Sequence, residues 1–238
     1  MGIPLYKWLN ADDILKDFRA GEGRIRINQL LDQFNIGDFN DFYSVHPLVR
    51  EKSEAQNCFS FITSSGELEM SKNVMNDPET APDAMSVLVD YLRNTLIDRG
   101  ESFSFETVFS HPSKLEFMKR ARELGYRIYL YFVCVESVEL CLARVAVRVA
   151  QGGHDVPSDK VLKRYEQCLK LLRDAVLIAD RTYLFDNSTT SDFNYKSDVT
   201  NSESSLVMSI KRVDDDYAMT YKPGLPKWVV DNTPFGSL

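Results

Sequence analysis

Arg144 and Arg148 stand four residues apart in a stretch, 142–165, that reads LARVAVRVAQGGHDVPSDKVLKRY. On a helix that interval stacks both guanidiniums in one row, while Leu142, Val145 and Val149 recur on another face. Gly152, Gly153 and Pro157 then interrupt the helix, and Ser158 is placed to cap a second one. In the second helix Val161, Tyr165, Cys168, Leu169, Leu172 and Val176 form an apolar stripe that leaves Lys160, Lys163, Arg164 and Lys170 off it. Between 141 and 173 seven Lys or Arg oppose three Asp or Glu, a local balance of +4 in a chain of net charge −7. Two cationic helical faces meeting at a hinge are suited to a lid that closes over an anion such as phosphate. Solvated or ion-paired arginines on a helix surface would give the same pattern.

Three other polar groups each follow a short strand-like run. Residues 5–9 lead through the 10–11 turn to Asp12; residues 102–108, SFSFETV, alternate and end on Glu106 and Thr107; residues 182–187, TYLFDN, end on Asp186 and Asn187. In an open parallel sheet ligands gather beyond the carboxyl ends of strands, so these are candidate site positions. Helix capping is the competing task for Asp12 and Asp13. With the cationic lid, the set resembles a small-molecule kinase. Phosphoryl transfer needs a carboxylate on the acceptor hydroxyl, cations on the moving phosphate and a closure that excludes water.

The elements that must hold these groups follow α/β grammar. Helical periodicity marks 82–98 through Met85, Leu88, Val89, Leu92 and Leu96, and 112–124 through Leu115, Met118, Ala121 and Leu124. The run 126–135, YRIYLYFVCV, is almost unbroken in apolar residues and predicts a strand buried on both faces inside a parallel sheet. Residues 21–80 read as an insertion, with a hairpin of CFSFIT and ELEM. Its aromatics Phe39, Phe42 and Tyr43 either line a pocket or hold the insertion to its host. The polar stretch 188–205 predicts a flexible exposed loop, 206–213 and 218–222 a terminal hairpin, and the Pro-rich remainder to 238 a non-helical tail. All of this fits within a single domain, 1–238.

Composition removes several classes. Hydrophobic residues at 44% and charged residues at 26% are ordinary globular values, and no apolar run nears the ~20 residues that span a bilayer. A pI near 5.1 argues against general nucleic-acid binding. Cys58, Cys134, Cys141 and Cys168 lack C-x-x-C spacing, so neither a disulfide framework nor a metal site is expected. The first residues, MGIPLYKWLNADD, lack the pattern of a secretory signal, and a cytoplasmic location is expected.

Taken together, WLNADDI, SFSFETVFSH, GYRIYLYFV, RVAVRVAQGGHDVPSDKVLKRY and YLFDNS, in this order, resemble the zeta-toxin family of P-loop kinases, in its predicted-ATPase branch. The resemblance covers roughly 5–20 and 82–190. It implies a P-loop kinase-like parallel sheet flanked by helices, with ATP and Mg²⁺ as cofactors, a small-molecule acceptor and an antitoxin protein as partner. The family's best-known members phosphorylate UDP-N-acetylglucosamine. It further implies that Asp12 orients or deprotonates the acceptor hydroxyl, and that Glu106, with Thr107 beside substrate, supports the acceptor or a metal-bound water. Arg144, Arg148 and Arg164 would be lid cations on the ATP phosphates, and Asp186 and Asn187 would lie near the nucleotide base. One departure bears on activity: no glycine in the chain is followed by lysine, so the loop G-x-x-x-x-G-K-[ST] is absent. The family places that loop, its strand and its helix, on the order of 30 residues, upstream of Asn10. The sequence therefore predicts either a kinase without its phosphate cradle or a shortened homologue that only binds.

Overall fold

A computed structural model describes residues 7–50, 52, 58–62, 65–152, 155–188 and 205–235. Within the single domain expected from the sequence, the chain gathers into two compact units, Met1–Thr107 and Val108–Leu238. The architecture is α/β, with parallel strand pairs and flanking helices.

In the first unit, β1 (Lys7–Leu9) runs into α1 (Ala11–Ala20) through Asn10. The Asn10 side-chain oxygen accepts from the backbone N–H groups of Asp12 and Asp13, at 2.8 and 3.2 Å, and so caps the helix. Ile14, Leu15 and Phe18 turn inward. The turn that follows requires glycine at position 21, where a Cβ would lie 2.1 Å from the Arg24 carbonyl oxygen. Next come β2 (Arg24–Ile25), a 3₁₀ turn at Ile27–Gln29, α2 (Ile36–Val45), β3 (Phe59–Ile62), β4 (Glu67–Met70), α3 (Lys72–Asn76), α4 (Thr80–Asp98) and β5 (Phe103–Phe105). β2, β4 and β3 form an antiparallel sheet in that order. β1 pairs in parallel with β5, Leu9 opposite Phe105.

The segment 21–80 is more than an excursion. Ile27, Leu31, Phe39, Val49 and Leu68 are fully buried and share one core with Leu9 and Phe18 and with Leu88, Leu92 and Leu96 of α4. The Phe39 ring meets those of Phe34, Tyr43, Phe59 and Tyr91 at centroid distances of 5.2 to 5.6 Å, a range typical of edge-to-face contacts. Of the two readings of these aromatics, Phe39 and Tyr43 follow the packing one.

The second unit contains α5 (Ser113–Glu123), β6 (Tyr129–Cys134), α6 (Val138–Ala150), α7 (Ser158–Ile178), β7 (Arg181–Asp186), β8 (Ser205–Val213), β9 (Asp216–Tyr221) and α8 (Lys227–Asn232). Its sheet has the order β6-β7-β8-β9: β6 and β7 are parallel, whereas the remaining pairs are antiparallel. Phe132, Leu172, Leu184, Met208, Ile210 and Trp228 pack into the core, with Leu130 against them.

Two expectations are corrected here. β6 is not buried on both faces: Phe132 is 7% exposed, but Tyr129, Tyr131 and Val133 are 49%, 42% and 57% exposed, and among the described residues β6 pairs with β7 alone. Tyrosine tolerates both water and apolar contact, so a run that reads as continuously apolar hides a period of two. Nor is the tail wholly non-helical. Pro226 opens α8, consistent with proline's fit to a helix start, and Trp228 and Val229 are buried. The stretch 188–205 lies almost wholly outside the described residues, as do Gly153 and His154 of the hinge. Among the described residues no helix is long and apolar enough to cross a membrane.

Phe39→Ala is expected to destabilise the chain by about 3–5 kcal/mol in chemical denaturation. A denaturation midpoint unchanged by it would detach 21–80 from the core. Asn10→Ala should cost about 1 kcal/mol through loss of the α1 cap, with Asn10→Ser, which keeps a capping oxygen, losing less. Equal losses for the two variants would argue against the capping assignment.

Candidate functional site

The carboxyl edge of the β1–β5 pair collects polar groups for a simple geometric reason. Parallel strands end on the same side, and the Glu106 N–H extends the pairing by donating to the Leu9 carbonyl at 3.1 Å. Asn10 and Glu106 therefore leave the pair together, and the Asn10 amide donates to Glu106 Oε2 at 2.6 Å. Since Asn10 caps α1, the carboxylate of Asp12 is released from that task. Asp12 is exposed in the first turn, and its carboxylate takes no hydrogen bond from the described residues. Asp13 differs: it accepts from Trp8 Nε1 at 3.3 Å and from Lys16 Nζ at 3.2 Å. Thr107 is half-buried at the end of this unit.

Behind this edge lies Arg93, 4% exposed, its guanidinium 5.4 Å from the centroid of Phe105 and 3.1 Å from an Asp90 oxygen. Burial lowers its pKa, and the Asp90 charge opposes that. Asn10 and Arg93 were not assigned roles from the sequence. Asn before a helix is a capping signal, and Arg93 follows Val89 by four residues on the buried side of α4, so both signals were present.

The second cluster sits at the carboxyl ends of β6 and β7. The Asn187 N–H donates to the Cys134 carbonyl at 2.8 Å, and Arg144 Nη2 donates to the Asn187 carbonyl at 2.6 Å. Asp186 Oδ1 accepts from the Ser188 hydroxyl at 2.5 Å and from Trp228 Nε1 at 3.4 Å, and Ser188 Oγ in turn accepts from the Glu136 N–H at 2.7 Å. Asp186 is thus held by structural partners. The Asn187 side-chain oxygen is buried with no hydrogen bond from the described residues, which leaves it an acceptor to offer. The structure brings Arg144, Asp186 and Asn187 together. Arg148 is exposed one turn further along α6, and Arg164 is half-buried on α7. Tyr165 of α7 donates to the Val135 carbonyl at 3.0 Å, a tie that the apolar stripe did not indicate.

Chemically, the first cluster offers oxygen ligands and a carboxylate open to a hydroxyl proton, the kind of group that Mg²⁺ and an acceptor alcohol would use. The second offers guanidinium donors for phosphate oxygens. The motif G-x-x-x-x-G-K-[ST], whose backbone amides and lysine cradle phosphate, does not occur in the sequence. No group of three or more His, Cys, Asp or Glu among the described residues is arranged to hold a metal ion by itself. Two shallow concavities, of about 260 and 280 Å³, lie along β3, β4 and the 21–24 turn and include none of these residues.

A protein of Haemophilus influenzae described only as uncharacterized is 38% identical over 63 residues, which are 26% of this chain and 45% of that protein, so the match spans under half of the relative's length. No solved structure matches the chain. The family model for Zeta toxin matches residues 67–198, more than half of the chain. That span runs from β4 through both basic helices to the segment after β7, and by it the chain belongs to the Zeta toxin family.

Proposed function

We propose that this chain carries the acceptor and lid parts of an ATP-dependent small-molecule kinase, acting on a hydroxyl such as that of a UDP-amino sugar. The observation that carries the reading is the Asn10-bridged edge, where Asp12 stands exposed beside Glu106, in a chain of a family with P-loop kinase-like function. Nucleotide and small-molecule substrates, ATP and a metal are what that family uses. In this reading Asp12 takes up the proton of the acceptor hydroxyl as the oxygen attacks phosphorus. Glu106, held by Asn10, and Thr107 orient the acceptor or a metal-bound water. Arg144, Arg148 and Arg164 bear on the phosphate charge, and Asn187, with Asp186 fixing the strand end behind it, faces the nucleotide. Mg²⁺, when bound, neutralises charge on the phosphates. An antitoxin protein belongs to the same reading as a partner.

Arginines act on phosphates that another element has already positioned, and the sequence holds no G-x-x-x-x-G-K-[ST] loop to position them. A second reading is a homologue that binds nucleotide or protein without transferring phosphate.

Titrating the 238-residue chain with Mg-ATP should give weak binding, roughly millimolar, and no turnover across a broad acceptor screen. With a segment carrying the phosphate loop supplied upstream of Asn10, affinity and transfer should appear together. Asp12→Ala should then lower kcat by about 10²–10⁴-fold with ATP affinity little changed. Tight ATP binding with turnover by the chain alone would overturn the assignment. If the extended chain binds ATP and transfers phosphate to nothing, the binding-module reading stands instead.

A further inference from the structure

The hairpin that closes the second sheet leaves an edge whose hydrogen-bonding phase is fixed by its pairing. β9 follows β8 after a turn at Asp214 and Asp215, in a register without a shift from Val213 opposite Asp216 to Met208 opposite Tyr221, and among the described residues it pairs with β8 alone. A two-residue turn makes its flanking residues a hydrogen-bonded pair, and such pairs recur at every second position. Two bonds agree with this phase. The Lys222 N–H donates to the Val207 carbonyl of β8 at 3.0 Å, whereas the Arg212 N–H, opposite Tyr217, turns away from β9 to the Asp180 carbonyl at 3.0 Å. The backbone groups of Asp216, Ala218 and Thr220 therefore point to β8, and those of Tyr217, Met219 and Tyr221 point out of the sheet. Natural edges are usually blunted by proline, a bulge or lysine, and 217–221, YAMTY, has none of these.

We propose that β9 is a self-pairing edge, which joins two copies of this chain through an antiparallel β9–β9 ladder centred on Met219. A two-fold axis at that residue sets Met219 against Met219 of the second copy, and Tyr217 against Tyr221 of the second copy. In this register all three outward residues meet a residue of the same phase, so each pair exchanges both of its N–H to carbonyl bonds. The same register sets Asp216 against Lys222 of the second copy, and Lys222 against Asp216 of the second copy. Both are non-hydrogen-bonded positions, where facing side chains lie closest, so opposite charges meet at each end of the ladder. Ala218 and Thr220, exposed on the same face, oppose each other between them. On the other face Tyr217 is already fixed, its ring 5.0 Å from that of Phe235 and 5.3 Å from the Arg212 guanidinium, whereas Tyr221 is 48% exposed and gains the Tyr217 ring as cover. In the single chain Asp216 Oδ1 accepts the Tyr217 N–H at 2.8 Å, and Lys222 Nζ donates to Ser205 Oγ at 2.5 Å. Association transfers the Tyr217 N–H to a carbonyl and frees the carboxylate for the lysine, whose three donors serve both oxygens.

The test is sedimentation velocity of the 238-residue chain across a concentration series, with amide hydrogen exchange read residue by residue. A ladder of 6 residues from each copy is short, so the expected dimer is weak, with a dissociation constant on the order of 10 μM. Raising the concentration through that range should slow exchange of the Met219 and Tyr221 amides several-fold and leave those of Ala218 and Thr220, already bonded to β8, unchanged. Lys222→Glu and Asp216→Lys each set like charges opposite one another at both ends of the ladder, and each should weaken the dimer about tenfold. The two substitutions combined in one chain should restore it. Met219→Pro removes the central N–H, which β8 does not use, and should leave the chain monomeric. Should that variant fold poorly, the charge exchange and the amide pattern of the unmutated chain decide. A chain monomeric at every concentration would overturn the proposal and leave the edge to a strand of a different protein. A dimer indifferent to both charge variants, or one that protects other amides than those of Met219 and Tyr221, would overturn it as well.

Discussion

The hydrogen bond from the Glu106 N–H to the Leu9 carbonyl, at 3.1 Å, is the contact on which the first cluster depends. It is the last rung of a two-stranded parallel ladder, and only a parallel ladder delivers both chain ends to one edge. Two strands alone would be marginal. The pair is held because Leu9 is fully buried in the core that α1 and α4 close over, so the placement of Asp12 and Glu106 is set by apolar packing several residues away. Asn10 converts that packing into polar geometry, since its one side chain both caps the helix and ties Glu106.

The second unit distributes its stability unevenly. α7 is anchored by Leu172, Ala175 and Val176, whereas α6 has no buried residue and is held at its start by the Ser137 cap and by the Arg144 bond to Asn187. Elements with few buried contacts are those that open at low free-energy cost. The Arg144 bond uses one N–H of a planar fork of five, so it fixes the direction of the guanidinium without exhausting it.

Much of the frame was legible in the chain itself. α4, α5 and α7 follow from apolar residues at helical spacing, and the β8–β9 hairpin follows from two apolar runs around Asp214 to Asp216. Three features were not legible, for separate reasons. Tyr129 and Tyr131 count as apolar in a pattern yet stand half in water. The tail prolines read as helix-breaking, but Pro226 sits where proline starts a helix. The core role of 21–80 depends on Phe39 meeting Phe59 and Tyr91, contacts between distant positions that no local period encodes. Among the candidate site residues, the positions of Asp12 and Glu106 at one edge follow from strand reading, whereas the engagement of Asp186 by Ser188 and Trp228 needed coordinates.

That core also links segment 21–80 to the strand edge by a chain of polar and aromatic contacts. His46 Nε2, at the end of α2, lies 3.7 Å from one Asp90 oxygen; the other Asp90 oxygen pairs with Arg93; and Arg93 lies over Phe105, the residue before Glu106. A buried guanidinium keeps its charge where other cations would lose theirs, and its flat face suits the ring, so lysine would not serve in its place. Arg93 is buried, whereas Asp90 and His46 keep partial access to water, so Asp90 is the point at which the two contacts of this chain meet. The contacts run from the end of α2 through Asp90 and Arg93 to the strand that ends on Glu106, across some sixty residues of sequence.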